Sequence, residues 1–275
     1  MAKIENEMIA NAAKIIDAVR TQNPLVHCIT NVVTVNDCAN ILLAFGASPA
    51  MVDVFDEAYE FARISSALYI NLGTYNREQE TAAVQAVLGA KAAGIPMVID
   101  PVGCAAIPKR IGILDHLYHV GGIDIIKGNM GEIMALGGYK ADVKGVDSNG
   151  DIAGIEEAAR FLAKQYHCTV AATGKADVVT DGERLVRVHN GVELLTKITG
   201  AGCMAGALCA AAAGAAKAVG ADMVTAALAG LMCMGIAGEQ AAEKTKLPGS
   251  YRTVLMDSIY TVTGHTILEQ GRLQC

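Results

Sequence analysis

The chain of 275 residues contains no tryptophan, and only 4% of its residues are aromatic. Its core must therefore come from Ala, Val, Ile, Leu and Met, within a hydrophobic content of 52%. No basic run occurs and the net charge is −6, which excludes broad contact with nucleic acid. The eight cysteines (28, 38, 104, 168, 203, 209, 233 and 275) are scattered and form no Cys-x-x-Cys pair, which argues against a disulfide framework. There is no Walker A loop, because Gly174-Lys175 is followed by Ala176, and no Gly-x-Gly-x-x-Gly follows a strand. Two uncharged stretches, Gly200–Ala216 and Met223–Gly238, fall short of the roughly 18 residues of a membrane span and are rich in Ala and Gly. They read as buried core helices, and no membrane partner is expected.

What is present is alternation. The opening residues read as an amphipathic helix, with Ile4, Met8, Ile9, Ala12, Ile15, Ile16 and Val19 at helical spacing, and not as a secretory leader. Reduced, mostly buried thiols in a cytoplasmic protein are expected. Pro24–Ile29 and Ala50–Val52 are short apolar runs, and Ala67–Leu72, Pro96–Ile99, Ile123–Ile126 and Cys168–Ala172 read as strands. Helical patterns at Asn36–Phe45, Asp56–Ile64, Glu78–Ala93, Ile111–Tyr118 and Ile155–Tyr166 separate them. Val178–Thr180 and Arg184–Val188 flank Asp181-Gly182, a hairpin signal. Residues 141–154 are polar and Gly-rich, a loop, and the chain from Ala201 is nearly all helix. Such alternation implies an α/β fold with a mostly parallel sheet covered on both faces, and no linker divides the chain.

Ligands of such sheets bind beyond the carboxyl ends of the strands. That rule selects Asn31, Met51, Gly73, Asp100, Lys127-Gly128-Asn129 and Thr173-Gly174. A carboxylate at Asp100 suits Mg²⁺, with Glu132 as a second acidic partner; the alternatives are a turn-capping Asp and an ordinary helix N-terminal charge. Asp115, His116 and His119 read as surface helix residues in place of a metal cluster. His27 reads as a hydrogen-bonding residue.

The most suggestive stretch is Thr199-Gly200-Ala201-Gly202-Cys203-Met204. Glycines that can take positive φ run straight into good helix formers, and a helix N-terminus offers unpaired N–H groups and partial positive charge to an anion. Gly200, Ala201 and Gly202 form the candidate anion hole; the alternative is a Gly-rich turn packed tightly on a neighbour, with a buried Cys. Cys203 falls on the first turn, where the same field favours a thiolate.

In chain order, Pro24–Asn31, Gly46–Met51, Asp100-Pro101-Val102-Gly103, Lys127–Glu132, Leu194–Lys197 and Thr199–Cys203 closely resemble the hydroxyethylthiazole kinase family of thiamine biosynthesis, within the ribokinase-like superfamily. The resemblance covers nearly the whole chain. Its most specific parts are the first two segments and the Cys in the glycine turn, where most of the superfamily carries Asp. It implies a three-layer α/β/α sandwich in one domain, 1–275, and a homotrimer with active sites at subunit interfaces. The implied reaction moves the γ-phosphate of ATP, with Mg²⁺, to the hydroxyl of 4-methyl-5-(2-hydroxyethyl)thiazole. By matching motif, Asn31, Met51 and Gly200 would contact the thiazole, Lys127 and Thr173 the ATP, and Asp100 and Glu132 would lie near Mg²⁺ and the phosphates. Cys203 would take the proton of the attacking hydroxyl. Two departures stand out: Lys127 replaces a frequent Arg, and Cys104-Ala105-Ala106 replaces a Gly-rich segment. The alternatives are an ADP- or ATP-dependent dehydratase on the same scaffold, a kinase for hydroxymethylpyrimidine, and a non-enzymatic binding protein.

Overall fold

The computed structural model describes residues 2–139 and 152–275. The chain opens with α1 (Ala2–Gln22), which buries Ala12, Ile15, Ile16 and Val19 and leaves Ile4 exposed. Five strand–helix units follow, then a helix and a strand: β1 (Leu25–Ile29), α2 (Val35–Phe45), β2 (Ser48–Ala50), α3 (Phe55–Ile64), β3 (Ala67–Asn71), α4 (Arg77–Ala93), β4 (Met97–Asp100), α5 (Lys109–Gly121), β5 (Ile125–Asn129), α6 (Met130–Leu136), α7 (Ile152–Tyr166) and β6 (Thr169–Thr173). The hairpin β7 (Asp177–Thr180) and β8 (Leu185–Val188) leads through a 3-10 turn to α8 (Ala201–Ala216), α9 (Met223–Lys244), α10 (Pro248–Thr261), α11 (Gly264–Gln270) and β9 (Leu273–Gln274).

All nine strands form one sheet in the order β2-β1-β3-β4-β5-β6-β7-β8-β9, parallel through β6 and antiparallel beyond it. Strand residues alternate between two cores, as period-two geometry requires. Val26, Cys28, Tyr69, Val98, Ile125 and Ala171 face the core built with α1, α2, α8 and α9. Leu68, Ile70, Ile99, Ile126, Val170 and Ala172 face the core shared with α3, α4, α5 and α7. This is the expected three-layer sandwich with a mostly parallel centre.

Several boundaries differ from the sequence reading. The second strand is Ser48–Ala50, which begins before the apolar run Ala50–Val52, and Met51 follows it as the strand-end rule requires. Pro49 is tolerated because β2 is an edge strand, where a missing N–H interrupts nothing on the solvent side. Lys127, Gly128 and Asn129 are the last residues of β5, not a connecting loop. Helix α7 starts at Ile152, and the remainder of the polar stretch, 141–151, lies outside the described residues. The two apolar helical stretches are also longer than expected. Ala201–Val219 and Met223–Lys244 reach the length and mean hydropathy of a membrane span. Their most apolar windows are 72% and 83% buried inside the protein, so the core reading holds on burial instead of length.

Candidate active site

The chain leaves β1 to form β2 on one side and then crosses to β3 on the other, so the strand order reverses between β1 and β3. That is the topological switch point at which such sheets bind ligands. The period that places Tyr69, Val98 and Ile125 beneath α8 also brings Asn71, Asp100 and Lys127 onto the same face at the strand ends. Asn31 follows β1, and its side-chain Nδ2 donates to Asn71 Oδ1 at 2.8 Å, closing the switch point. Its second proton points at Cys203 Sγ, 3.4 Å away. The Thr34 N–H donates to Asn31 Oδ1 at 3.1 Å, which fixes the orientation of the amide.

Above these side chains sits the glycine turn. Gly200 is the N-cap of α8 with φ +83°, a left-handed conformation that favours glycine. A Cβ there would lie 2.8 Å from Thr34 Cγ2, so glycine is required by packing as well. The first intrahelical bond runs from Met204 N to Gly200 O at 2.8 Å. The N–H groups of Ala201, Gly202 and Cys203 therefore precede the helical ladder and keep their donors for a ligand. Cys203 is 9% exposed, at the floor of this cradle.

Lys127 completes the cradle from below. A Cβ at Gly202 would stand 3.2 Å from Lys127 Nζ, so the ammonium lies directly against the turn. It also pairs with Asp100 Oδ2 at 3.1 Å, both side chains being almost fully buried. Burial pushes the Asp100 carboxyl up to about 7, against the opposing pull of the Lys127 ammonium. Burial also disfavours the charged Lys127, but Asp100 and Glu132 outweigh it and hold the ammonium above its ordinary range. The lysine thus stays cationic beside the N–H donors of the α8 N-terminus.

Glu132 has a structural task. Its Oε2 accepts from Asn129 N at 2.7 Å, and Asn129 Oδ1 accepts from Glu132 N at 2.9 Å, a capping box for α6. Its Oε1 accepts from Gly103 N at 2.7 Å and so holds the loop after β4. The departure Cys104 is buried there, its thiol 3.4 Å from Glu132 O. For a divalent cation the available acceptor is Asp100 Oδ1, buried without a hydrogen-bond partner. One free carboxylate oxygen beside a second carboxylate fits Mg²⁺, which takes its other ligands from water and phosphate. Among the described residues no group of three His, Cys, Asp or Glu could hold a metal.

Met51 is half-buried directly after β2 and packs on the same core as Cys203. Thr173 ends β6 opposite Asn129, and its Oγ1 donates to Gly128 O at 3.3 Å. His27 is buried; its Nε2 lies 2.6 Å from Val52 O, tying down the segment that carries Met51. Burial lowers its pKa, which suits a neutral ring. A separate cavity of about 860 Å³ is lined by Tyr75, Arg77, Lys109, Arg110 and His116 among others, and by none of Asp100, Lys127 or Gly200–Cys203. Arg110 links the two places, because its guanidinium donates to Gly73 O and Val102 O.

Tyr69, Asn71 and the Asp37–Arg252 pair escaped the sequence reading. Asn71 could have been noticed as a polar residue inside an otherwise apolar strand. Asp37 is buried in the first turn of α2, against Gly200, and bonds Arg252 of α10.

A sequence model described as the hydroxyethylthiazole kinase family matches residues 16–265. The chain belongs to that family. It is 53% identical over 260 residues to hydroxyethylthiazole kinase 2 of Clostridium botulinum (strain Loch Maree / Type A3), covering 94% of this chain and 97% of that one. It is 36% identical to a solved hydroxyethylthiazole kinase from Pyrococcus horikoshii OT3, with a TM-score of 0.86, covering 96% of this chain and 98% of the other. The ADP/ATP-dependent NAD(P)H-hydrate dehydratase of Bacillus subtilis matches at a TM-score of 0.54 and 15% identity, covering 87% and 90%. That last likeness shows the shared ribokinase-like fold alone. Kinase membership makes the enzyme a phosphotransferase with ATP as co-substrate.

Proposed function

We propose that the chain transfers the γ-phosphoryl group of ATP to the hydroxyl of 4-methyl-5-(2-hydroxyethyl)thiazole. One observation carries the assignment of the site. The free N–H groups of the α8 N-terminus, the Lys127 ammonium and the Cys203 thiol converge at the sheet's switch point in a chain of this family. Phosphoryl transfer proceeds through a loose transition state, so positioning and charge stabilisation count for more than base strength. In this reading Gly200, Ala201, Gly202 and Cys203 hold the transferring group through their N–H donors, and Lys127 supports its charge from beneath. Lys127 and Thr173 bind ATP, while Asn31, Met51 and Gly200 orient the thiazole. Cys203 accepts the hydroxyl proton as the new P–O bond forms, with Asn31 holding its Sγ in place. Mg²⁺, when bound at Asp100 with Glu132 nearby, would neutralise phosphate charge.

The single-domain assignment, 1–275, and a homotrimer with interfacial sites belong to the same proposal. Val32 and Val33 are 69% and 59% exposed immediately after Asn31, an apolar pair that a neighbouring subunit would cover. Eight unpaired thiols suit a reducing cytoplasm.

The test is ADP release by purified protein with a panel of acceptors: the thiazole alcohol, hydroxymethylpyrimidine, a hydrated nicotinamide cofactor, and none. Turnover that depends on the thiazole alcohol is expected. Turnover only with the hydrated cofactor would establish the dehydratase, and none with any acceptor would leave a binding protein.

A further inference from the structure

We propose that Tyr69 is a positioning residue for this transfer, its hydroxyl tethering the first turn of α8 to the Asp100–Lys127 pair. The inference rests on the phosphotransferase reading and assigns a role to a residue outside the family motifs matched above. Tyr69 lies on β3, fully buried, and its ring rises from the sheet toward α8. The hydroxyl accepts a hydrogen bond from Asn71 Nδ2 at 3.0 Å, donates to the Cys203 carbonyl oxygen at 3.0 Å, and lies 3.4 Å from Asp100 Oδ2. One atom therefore joins the backbone of the anion cradle, the carboxylate that holds Lys127, and the Asn71 side chain that holds Asn31.

The helix is adapted to this contact. A Cβ at Gly206 would stand 2.6 Å from the Tyr69 hydroxyl oxygen and 2.9 Å from its ring atoms. Glycine is otherwise disfavoured in a helix interior, and here it lets the phenol reach the α8 backbone. Burial, then the Asp100 charge, raise the phenol's pKa far above its ordinary range, so it stays a neutral donor. Nothing places Tyr69 against a substrate. Its effect runs through the spacing between the N–H donors of Ala201–Cys203 and the ammonium of Lys127. A transfer that depends on in-line placement is sensitive to that spacing.

Tyr69→Phe removes the hydroxyl and keeps the ring; Tyr69→Leu removes both. With ATP and the thiazole alcohol, both variants should lose about tenfold or more in kcat while each KM stays within about threefold, the pattern of a misplaced transition state and not of lost binding. Tyr69→Leu should show the larger fall in Tm, because it loses the packing of the ring as well as the hydrogen bonds. Alkylation of Cys203 by iodoacetamide, mapped by peptide mass spectrometry, should be several-fold faster in Tyr69→Phe because the turn is no longer pinned. Wild-type kcat in Tyr69→Phe, or a loss confined to KM, would overturn the proposal. If the wild-type protein turns over no acceptor, the phosphotransferase reading falls instead. The alkylation rate still decides whether the tether exists, and an unchanged rate refutes it.

Discussion

Replacing Lys127 with Met keeps the length and bulk of the side chain and deletes the charge that accompanies Asp100 into the interior. In the native protein the two atoms are 3.1 Å apart, with side-chain exposures of 3% and 1%. After the change, Asp100 retains only the Tyr69 hydroxyl at 3.4 Å, because its Oδ1 already has no partner. Stranding a buried ionised group costs about 3–5 kcal/mol, a large share of the roughly 5–15 kcal/mol that holds a domain together. The carboxyl can escape by taking a proton, and the direction of the resulting pH dependence follows. Burial holds Asp100 at about 7 even with the lysine present, and higher without it, while the unfolded chain titrates near the ordinary value of about 3.9. Between those values the folded state binds the extra proton, so stability falls as pH rises through the window. Lys127 itself, held above its ordinary range, contributes stability that is constant below about pH 10 and does not shape this window. The loss in Lys127→Met should therefore be about 3–5 kcal/mol near pH 8.5 and about 1–3 kcal/mol near pH 5.5, where only a neutral polar group is poorly satisfied. Urea unfolding followed by circular dichroism measures both, with an unchanged m-value confirming comparable end states. Adding Asp100→Asn should recover most of the loss near the higher pH, since the two sites share one interaction. A loss equal at the two pH values, or below about 1 kcal/mol at the higher one, would refute the buried ion pair as the cause.

Other consequences are more local. Cys203→Ala should lower kcat at least about tenfold with Tm preserved, as expected for loss of a general base; an unchanged rate would remove the thiol from the chemistry. Gly200→Ala places a Cβ in a left-handed residue 2.8 Å from Thr34 Cγ2. It should destabilise by about 1–2 kcal/mol and raise KM for the thiazole alcohol, read from urea unfolding and initial rates. Glu132→Gln should cost about 1 kcal/mol through the α6 cap and the Gly103 amide, measured by urea unfolding. Excess chelator should abolish turnover and restored Mg²⁺ should recover it; full rates in chelator would exclude the cation at Asp100.

The strand ends were legible because each apolar run stops at a polar or glycine residue, and parallel α/β sheets gather those stops on one edge. Asn31, Asp100 and Lys127 do meet there, and Gly200–Cys203 does open a helix above them. What the chain did not reveal locally depends on distant partners. Tyr69 looks like one more large residue of a buried strand until Gly206 and Cys203 are brought over it. Asp37 is an ordinary helix-start acid until Arg252, 215 residues later, reaches it. Glu132 reads in the sequence as a metal partner, yet its oxygens are engaged by the Asn129 and Gly103 amides, whose positions only the fold defines. Strand β2 starts at Ser48, before its apolar run, and includes Pro49, because it lies on the sheet edge, which nothing in the local sequence marks.

The most direct measurement follows both products at once by ³¹P NMR in a mixture of protein, ATP, Mg²⁺ and the thiazole alcohol. ADP and a new phosphomonoester on the hydroxyethyl group should appear in equal amounts. ADP with inorganic phosphate and an unmodified alcohol, or no consumption of ATP, would contradict the assignment.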